Sequence, residues 1–174
     1  MPLSSPEGKS WIRDRVWALG QANPLRVLDV GPGAGTYAML LAGPEVAKLI
    51  GIEIFEPYVG TYRLHDYYDE IIIGDARTVD FPATDVVIIG DVAEHMSEAD
   101  ALALCDKAAA AAAQAVYLSI PIVHYPQGEI EGNHHEVHVV DDWNHETVLE
   151  HFAGINDFWT GSEVGVYERQ STKG

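Results

Sequence analysis

Residues 27–35, Val-Leu-Asp-Val-Gly-Pro-Gly-Ala-Gly, constrain the fold more than any other stretch of this chain. A short apolar, β-branched run carries an acid and then meets Gly31, Gly33 and Gly35 at every second position. A strand that stops at such a loop brings bare backbone close to a ligand at the C-terminal edge of a sheet. There the next helix offers unpaired N–H groups. The spacing also argues against one class of site. The dinucleotide fingerprint G-x-G-x-x-G needs its third glycine at position 36, which is Thr36.

Around this loop the chain reads as alternating strands and helices. Trp11, Ile12, Val16, Trp17 and Leu19 recur near helical spacing over 6–20, and Asn23-Pro24 ends that helix. Strands are expected at Leu25–Val30, Ala47–Ile54, Glu70–Ile73, Thr84–Gly90 and Ala115–Ile120. Helices are expected at Tyr37–Ala42 and Pro57–Tyr68. A longer one should run from 98 to about 114, opened by the capping-box pattern Ser97-Glu98-Ala99-Asp100 and continued by the Ala-rich tract 108–115. Another starts near Asp142, with Trp143, Val148, Leu149 and Phe152 as its apolar positions. Ile155–Thr160 and Val164–Arg169 flank Gly161-Ser162 and suggest a closing hairpin. This order implies a doubly wound α/β sheet, parallel except at its C-terminal hairpin, with helices on both faces.

Composition narrows the partners. The net charge of −17, with ten Lys plus Arg, repels phosphate backbones and anionic membranes. A neutral or cationic small molecule, a sugar or a protein partner stays open, and so does a homodimer. The single cysteine, Cys105, excludes an internal disulfide and fits a reducing cytoplasm; its simplest reading is a small residue in a helix. No signal peptide or membrane-spanning run is expected, and 174 residues fit one domain.

Three further acids fall at expected strand ends: Glu53 in Ile-Gly-Ile-Glu, Asp75 after Gly74, and Asp91 in Asp91-Val92-Ala93-Glu94-His95. With these in place, the D-x-G-x-G-x-G of residues 29–35 resembles motif I of the class I S-adenosylmethionine-dependent methyltransferases. The D-x-x-E-H stretch is similar to a segment of many small-molecule members. The resemblance covers roughly residues 25–120 and implies their seven-stranded fold, with the last strand inserted antiparallel. It implies S-adenosylmethionine as cofactor, with Gly31, Gly33 and Gly35 near its methionine and ribose. Asp29 would fix the loop or meet the methionine ammonium. Glu53 would accept from the ribose hydroxyls, Asp75 would face the adenine amino group, and Asp91 would complete the donor site. Glu stands at 53 where Asp is more frequent, and little chain lies beyond the core fold to form a separate substrate domain. The expected organisation is an N-terminal helix (1–24), a cofactor-binding half (25–120), an active-site loop (121–142) and a C-terminal helix and hairpin (143–174).

Methyl transfer to a hydroxyl needs a group that takes a proton, and histidine is the usual base near neutral pH. Six of the eight histidines lie between 124 and 151, densest in Asn133-His134-His135-Glu136-Val137-His138. If that stretch is extended, His134, Glu136 and His138 share one face as a base with its orienting carboxylate. His95, one turn from Asp91, is the second candidate. A divalent metal held by Asp91 and loop histidines is conceivable but not favoured. His134 and His138 have ligand spacing, yet Pro126 and Gly132 argue against a helix there. The run His124-Tyr125-Pro126-Gln127-Gly128, with Gly132, Asn133, Glu136, His138 and Trp143, is similar to a segment of small bacterial methyltransferases of sugar and glycan pathways. It points to a sugar-like hydroxyl acceptor, with Tyr125 and Trp143 as stacking surfaces or loop anchors. Two alternatives are a protein or peptide methyltransferase and a non-catalytic cofactor-binding subunit. A nicotinamide-dependent reductase fits less well, given Thr36 and Asp75.

Overall fold

Seven strands form one sheet in the order β3-β2-β1-β4-β5-β7-β6 in the computed structural model, which describes residues 5–171. The strands are β1 Leu25–Val30, β2 Val46–Glu53, β3 Glu70–Ile73, β4 Thr84–Gly90, β5 Ala112–Pro121, β6 Ile155–Thr160 and β7 Val164–Gln170. β1 through β5 pair in parallel, and β7 runs antiparallel between β5 and β6. The helices are α1 Lys9–Gly20, α2 Thr36–Leu41, α3 Pro57–Thr61, α4 Glu98–Ala111 and α5 His145–His151. Among the described residues no helix is long and apolar enough to cross a membrane.

The strand sequences follow from where they sit. Val86, Val87, Ile88 and Ile89 of β4 are all buried, because the central strand is covered on both faces. Two apolar clusters lie on opposite sides of the sheet. One gathers Leu28, Ile50, Val87 and Ile89 under α4, Trp143 and α5; the other gathers Val27, Leu49, Val86 and Ile88 under α1 and α2. Successive residues of one strand feed opposite clusters, as the period of two requires. Each fully buried Val, Leu or Ile side chain contributes about 1.5–3 kcal/mol.

Some expectations need correction. The Ala-rich tract does not stay helical to 114. α4 ends at Ala111, and Ala112 pairs with Thr84 as the first residue of β5. A ladder beside a buried strand outweighs the few tenths of a kcal/mol by which alanine favours helix. Pro57–Tyr68 is not one helix. It breaks at Tyr62, and Arg63 adopts φ +52 before a short 3₁₀ turn, Leu64–Asp66. The last helix starts at His145, capped by the Asn144 side chain, so Trp143 lies before it and Leu149 faces solvent. Cys105 is buried in α4 as expected.

The segment before α1 is strapped to the other end of the chain. The Glu7 carboxylate accepts from the backbone N–H groups of Ser162, Glu163 and Val164 and from the Ser162 hydroxyl. These bonds favour the charged form and pull the Glu7 pKa down from 4.5 to about 2. The folded value lies below the unfolded one, so the strap is at full strength above pH ~4.5 and is lost as pH falls toward 2. A carboxyl-detected NMR titration is expected to give a Glu7 midpoint near 2, and Glu7→Gln should free the Ser162–Val164 amides to exchange. An ordinary midpoint near 4.5 would mean that the strap is not held in solution.

Candidate active site

One large cleft, about 530 Å³ in volume, opens at the C-terminal edge of the parallel strands. Its size is that of a small-molecule site, and open α/β sheets bind ligands at this edge. It draws its wall from the ends of β1, β2, β3 and β4: Gly31 and Gly33, Glu53, Asp75, and Asp91. The loop after β5 adds Tyr125, Gln127, Asn133, His135, Glu136 and His138.

The glycine loop has the backbone that its sequence suggests. Gly31 sits at φ +71, and a Cβ there would stand 2.5 Å from a Val92 methyl. Gly33, at φ +52, donates its N–H to Glu53 Oε2 at 3.3 Å. Gly35 does not line the cleft; at φ +78 it makes the turn into α2. Asp29 does not line the cleft either. Its Oδ2 accepts from the Tyr68 hydroxyl at 2.5 Å, while Oδ1 is buried without a partner among the described residues. Burial raises the Asp29 pKa to about 7 despite that hydrogen bond.

Glu53 is 3% exposed and ends β2 with its carboxylate turned back on the loops. Oε1 accepts from the Phe55 N–H at 2.8 Å, opposite the Gly33 contact on Oε2. Burial moves its pKa up. Lone pairs remain on both oxygens for a diol. Asp75 is already engaged. The Arg77 guanidinium grips both its oxygens at 2.6–3.0 Å and holds its pKa down. A carboxylate has about four lone-pair sites, so it can still accept from an amino group.

Asp91 is the most constrained residue of the site. It is not glycine, yet it sits at φ +55. Its Oδ1 accepts from the Ser119 hydroxyl at 2.6 Å, and its Oδ2 pairs with Lys9 Nζ at 2.7 Å. Both side chains are buried, at 10% and 5% exposure. The Lys9 ammonium also stands 5.0 Å from the Tyr37 ring centre. Lys9 was not read from the sequence as a site residue. The available signal was its position at the apolar face of α1, with Ile12 and Val16.

The expected His134–Glu136–His138 face is not formed. Residues His134–Glu136 make a 3₁₀ turn capped by Asn133, so side chains two apart no longer align. His134 is exposed, stacks on His135 at 3.9 Å between ring centres, and lies outside the cleft. His135, which faces the cleft, takes its place there. Glu136 lines the cleft within reach of the Asn133 amide at 3.4 Å. His138 instead meets His95, 4.9 Å between ring centres. His95 follows Asp91 through a 3₁₀ turn rather than an α-helical one. His95 Nδ1 lies 3.3 Å from the Val137 carbonyl and His138 Nδ1 lies 2.6 Å from the Tyr125 carbonyl. Burial lowers the pKa of both rings toward the neutral form. Beneath them Glu94 is 2% exposed, its pKa pushed well up by burial. Trp143 is buried in the core, an anchor rather than a stacking surface; Tyr125 is half exposed at the cleft.

Residues 28–120 match the family model described as a methyltransferase domain. The chain is 38% identical over 81 residues to a probable ribosomal RNA small subunit methyltransferase A of Methanosarcina mazei. That match covers 43% of this chain and 29% of the relative, so the chain spans less than a third of it. The fold is similar to that of magnesium protoporphyrin IX methyltransferase from Synechocystis PCC 6803 with bound SAM (TM-score 0.69, 18% identity, covering 95% of this chain and 79% of that one). It is also similar to the N-terminal domain of EvdMO1 in the presence of SAH and D-fucose (TM-score 0.64, 18% identity, 97% and 84% covered).

Proposed function

We propose that this chain, which belongs to the methyltransferase family that uses S-adenosylmethionine, methylates a hydroxyl oxygen of a small, sugar-like acceptor. The observation that carries this reading is that one cleft is lined both by the glycine loop and by two imidazoles, His95 and His138. The presence of D-fucose in the EvdMO1 domain structure supports a sugar-like acceptor. The charge of −17 opposes a ribosomal RNA acceptor, despite the name of the archaeal relative.

The residues fit the donor. Gly31 leaves the space that a Cβ would take from Val92, and Gly33 presents bare backbone to the cleft. Glu53 is the group for the ribose diol and Asp75 the group for the adenine amine. Asp29 supports the loop from behind. When bound, the donor supplies both the electrophilic methyl and the leaving sulfide. The protein's share is alignment and proton removal.

Asp91 sets the alignment, since Lys9 and Ser119 hold its carboxylate from both sides. Proton removal falls to the His95–His138 pair. A carbonyl oxygen can only accept, so each Nδ1 that faces one carries the hydrogen. Each Nε2 is then left with a free lone pair, which can receive the acceptor's proton. Glu136 and Tyr125 line the same cleft and would position the acceptor ring.

The test begins with labelled donor and a panel of sugars and small alcohols. On a confirmed acceptor, His95→Ala and His138→Ala should each cut turnover about 100-fold, the scale of a lost general base, with donor binding unchanged. If turnover survives in both, and in His134→Ala, the histidine reading fails. If label enters protein rather than small molecules, the acceptor class is wrong.

A further inference from the structure

We propose that Glu94, His95 and His138 bind one divalent transition-metal cation in the wall of the cleft. One carboxylate oxygen of Glu94 and one ring nitrogen of each histidine lie within 4.8 Å of one another. Donor atoms around a tetrahedral ion with bonds of ~2.1 Å stand about 3.4 Å apart, so small side-chain rotations close the set.

Two independent observations point to a ligand there. Glu94 is 2% exposed, and its Oε2 has no hydrogen-bond partner among the described residues. An unpaired buried carboxylate oxygen is costly, and it calls for something to meet it. The second observation is the tethering of both rings. With Nδ1 of His95 donating to Val137 and Nδ1 of His138 donating to Tyr125, Nε2 is the nitrogen that carries the lone pair on each ring. A backbone carbonyl on the far nitrogen is how a ligating imidazole is oriented. The two rings meet edge to face, 4.9 Å between centres, close enough for one cation to take a nitrogen from each.

The segments that carry these groups are also stapled together. The Glu94 carbonyl accepts from the N–H groups of Val139 and Val140 at 2.8 and 3.1 Å. The three donors therefore come preassembled, although His138 lies 43–44 positions from the adjacent Glu94 and His95 in sequence. Asp91 takes no part, because Lys9 and Ser119 already hold its oxygens.

Two imidazoles and a carboxylate select a zinc-like ion rather than magnesium, which prefers oxygen donors. Three protein ligands leave a fourth position open. The inference rests on the hydroxyl-acceptor reading only for its purpose. The open position suits the acceptor oxygen, whose hydroxyl would be acidified and would give its proton to water at the cleft mouth. In the metal-loaded protein the histidines then hold the cation instead of taking the proton themselves.

The test titrates the metal-stripped protein with Zn²⁺, Co²⁺ and Mg²⁺ by calorimetry, and follows the Co²⁺ absorption bands for four-coordination by nitrogen and oxygen. One tight site for Zn²⁺ and Co²⁺, with Mg²⁺ much weaker, is expected. His95→Ala, His138→Ala and the shape-preserving Glu94→Gln should each weaken it at least tenfold, while the exposed His65→Ala should leave it intact. Absence of a stoichiometric site, or a site indifferent to these three substitutions, overturns the proposal. So does methyl transfer at full rate after metal stripping, which would leave the oxygen-methylation reading standing with a free imidazole as base. Metal bound as expected, with no hydroxyl acceptor ever methylated, would instead defeat that reading and leave the site.

Discussion

Asp91→Asn is expected to cost about 3 kcal/mol of stability, because it strands the Lys9 ammonium in a buried site. Asparagine tolerates the left-handed backbone at φ +55 and can still meet the Ser119 hydroxyl, so the loss isolates the charge. In a chain of this length that corresponds to a melting point lower by roughly 6–12 °C. The diagnostic is the double variant. Lys9→Met with Asp91→Asn removes both charges, and stability should recover most of the loss, since a buried pair often adds little over neutral packing. Activity should not recover, because the aligning carboxylate is gone. A melting point for Asp91→Asn within 2 °C of the parent (roughly half a kcal/mol) would show that Lys9 and Asp91 are not paired in solution. Failure of the double variant to recover would show that Asp91 serves the fold by some route other than that pair.

The second large effect is on the donor. Glu53→Ala is expected to weaken S-adenosylhomocysteine binding about 100-fold. Two charge-assisted hydrogen bonds to a diol contribute about 1.5 kcal/mol each at the low end, and 1.4 kcal/mol is a factor of ten. The same carboxylate holds the Gly33 and Phe55 N–H groups, so the glycine loop loses its brace as well. Glu53→Asp separates the two effects. It keeps the charge at a shorter reach and should bind more tightly than the alanine variant. Calorimetry checks both. A dissociation constant for Glu53→Ala within threefold of the parent would remove Glu53 from the donor site.

The strand-end features were legible in the sequence because they are local. A β-branched run, a glycine loop and a terminal acid sit within ten residues, and a parallel sheet must bring such ends to one edge. Glu53, Asp75 and Asp91 line the cleft for that reason. What was not legible depends on contacts between distant segments. His134 and His138 share a spacing, but the 3₁₀ turn at His134–Glu136 sends one outward and turns the other to His95. Lys9 and Asp91 lie 82 residues apart, and no local pattern links them. Ala112 was misread for the same reason: its neighbours favour helix, while its strand partner, Thr84, lies 28 residues away.

The Glu7 strap and the placement of β7 have a consequence for how the chain is made. β7 enters the sheet between β5 and β6, and the turn before it is held by Glu7 across 155–157 positions of sequence. On a ribosome, β1 through β5 can pair as they emerge, each beside an earlier neighbour. Pro6 and Glu163–Val164, which flank that contact and line the cleft, cannot come together until the 162–164 turn has been released. Contacts of such separation are slow to form and leave partly built surface exposed in the meantime. The nascent protein therefore passes through a stage with β1 through β5 assembled and that wall of the cleft still open. A ligand that touches both Pro6 and Val164 favours that last step, because it binds only once the two segments have met.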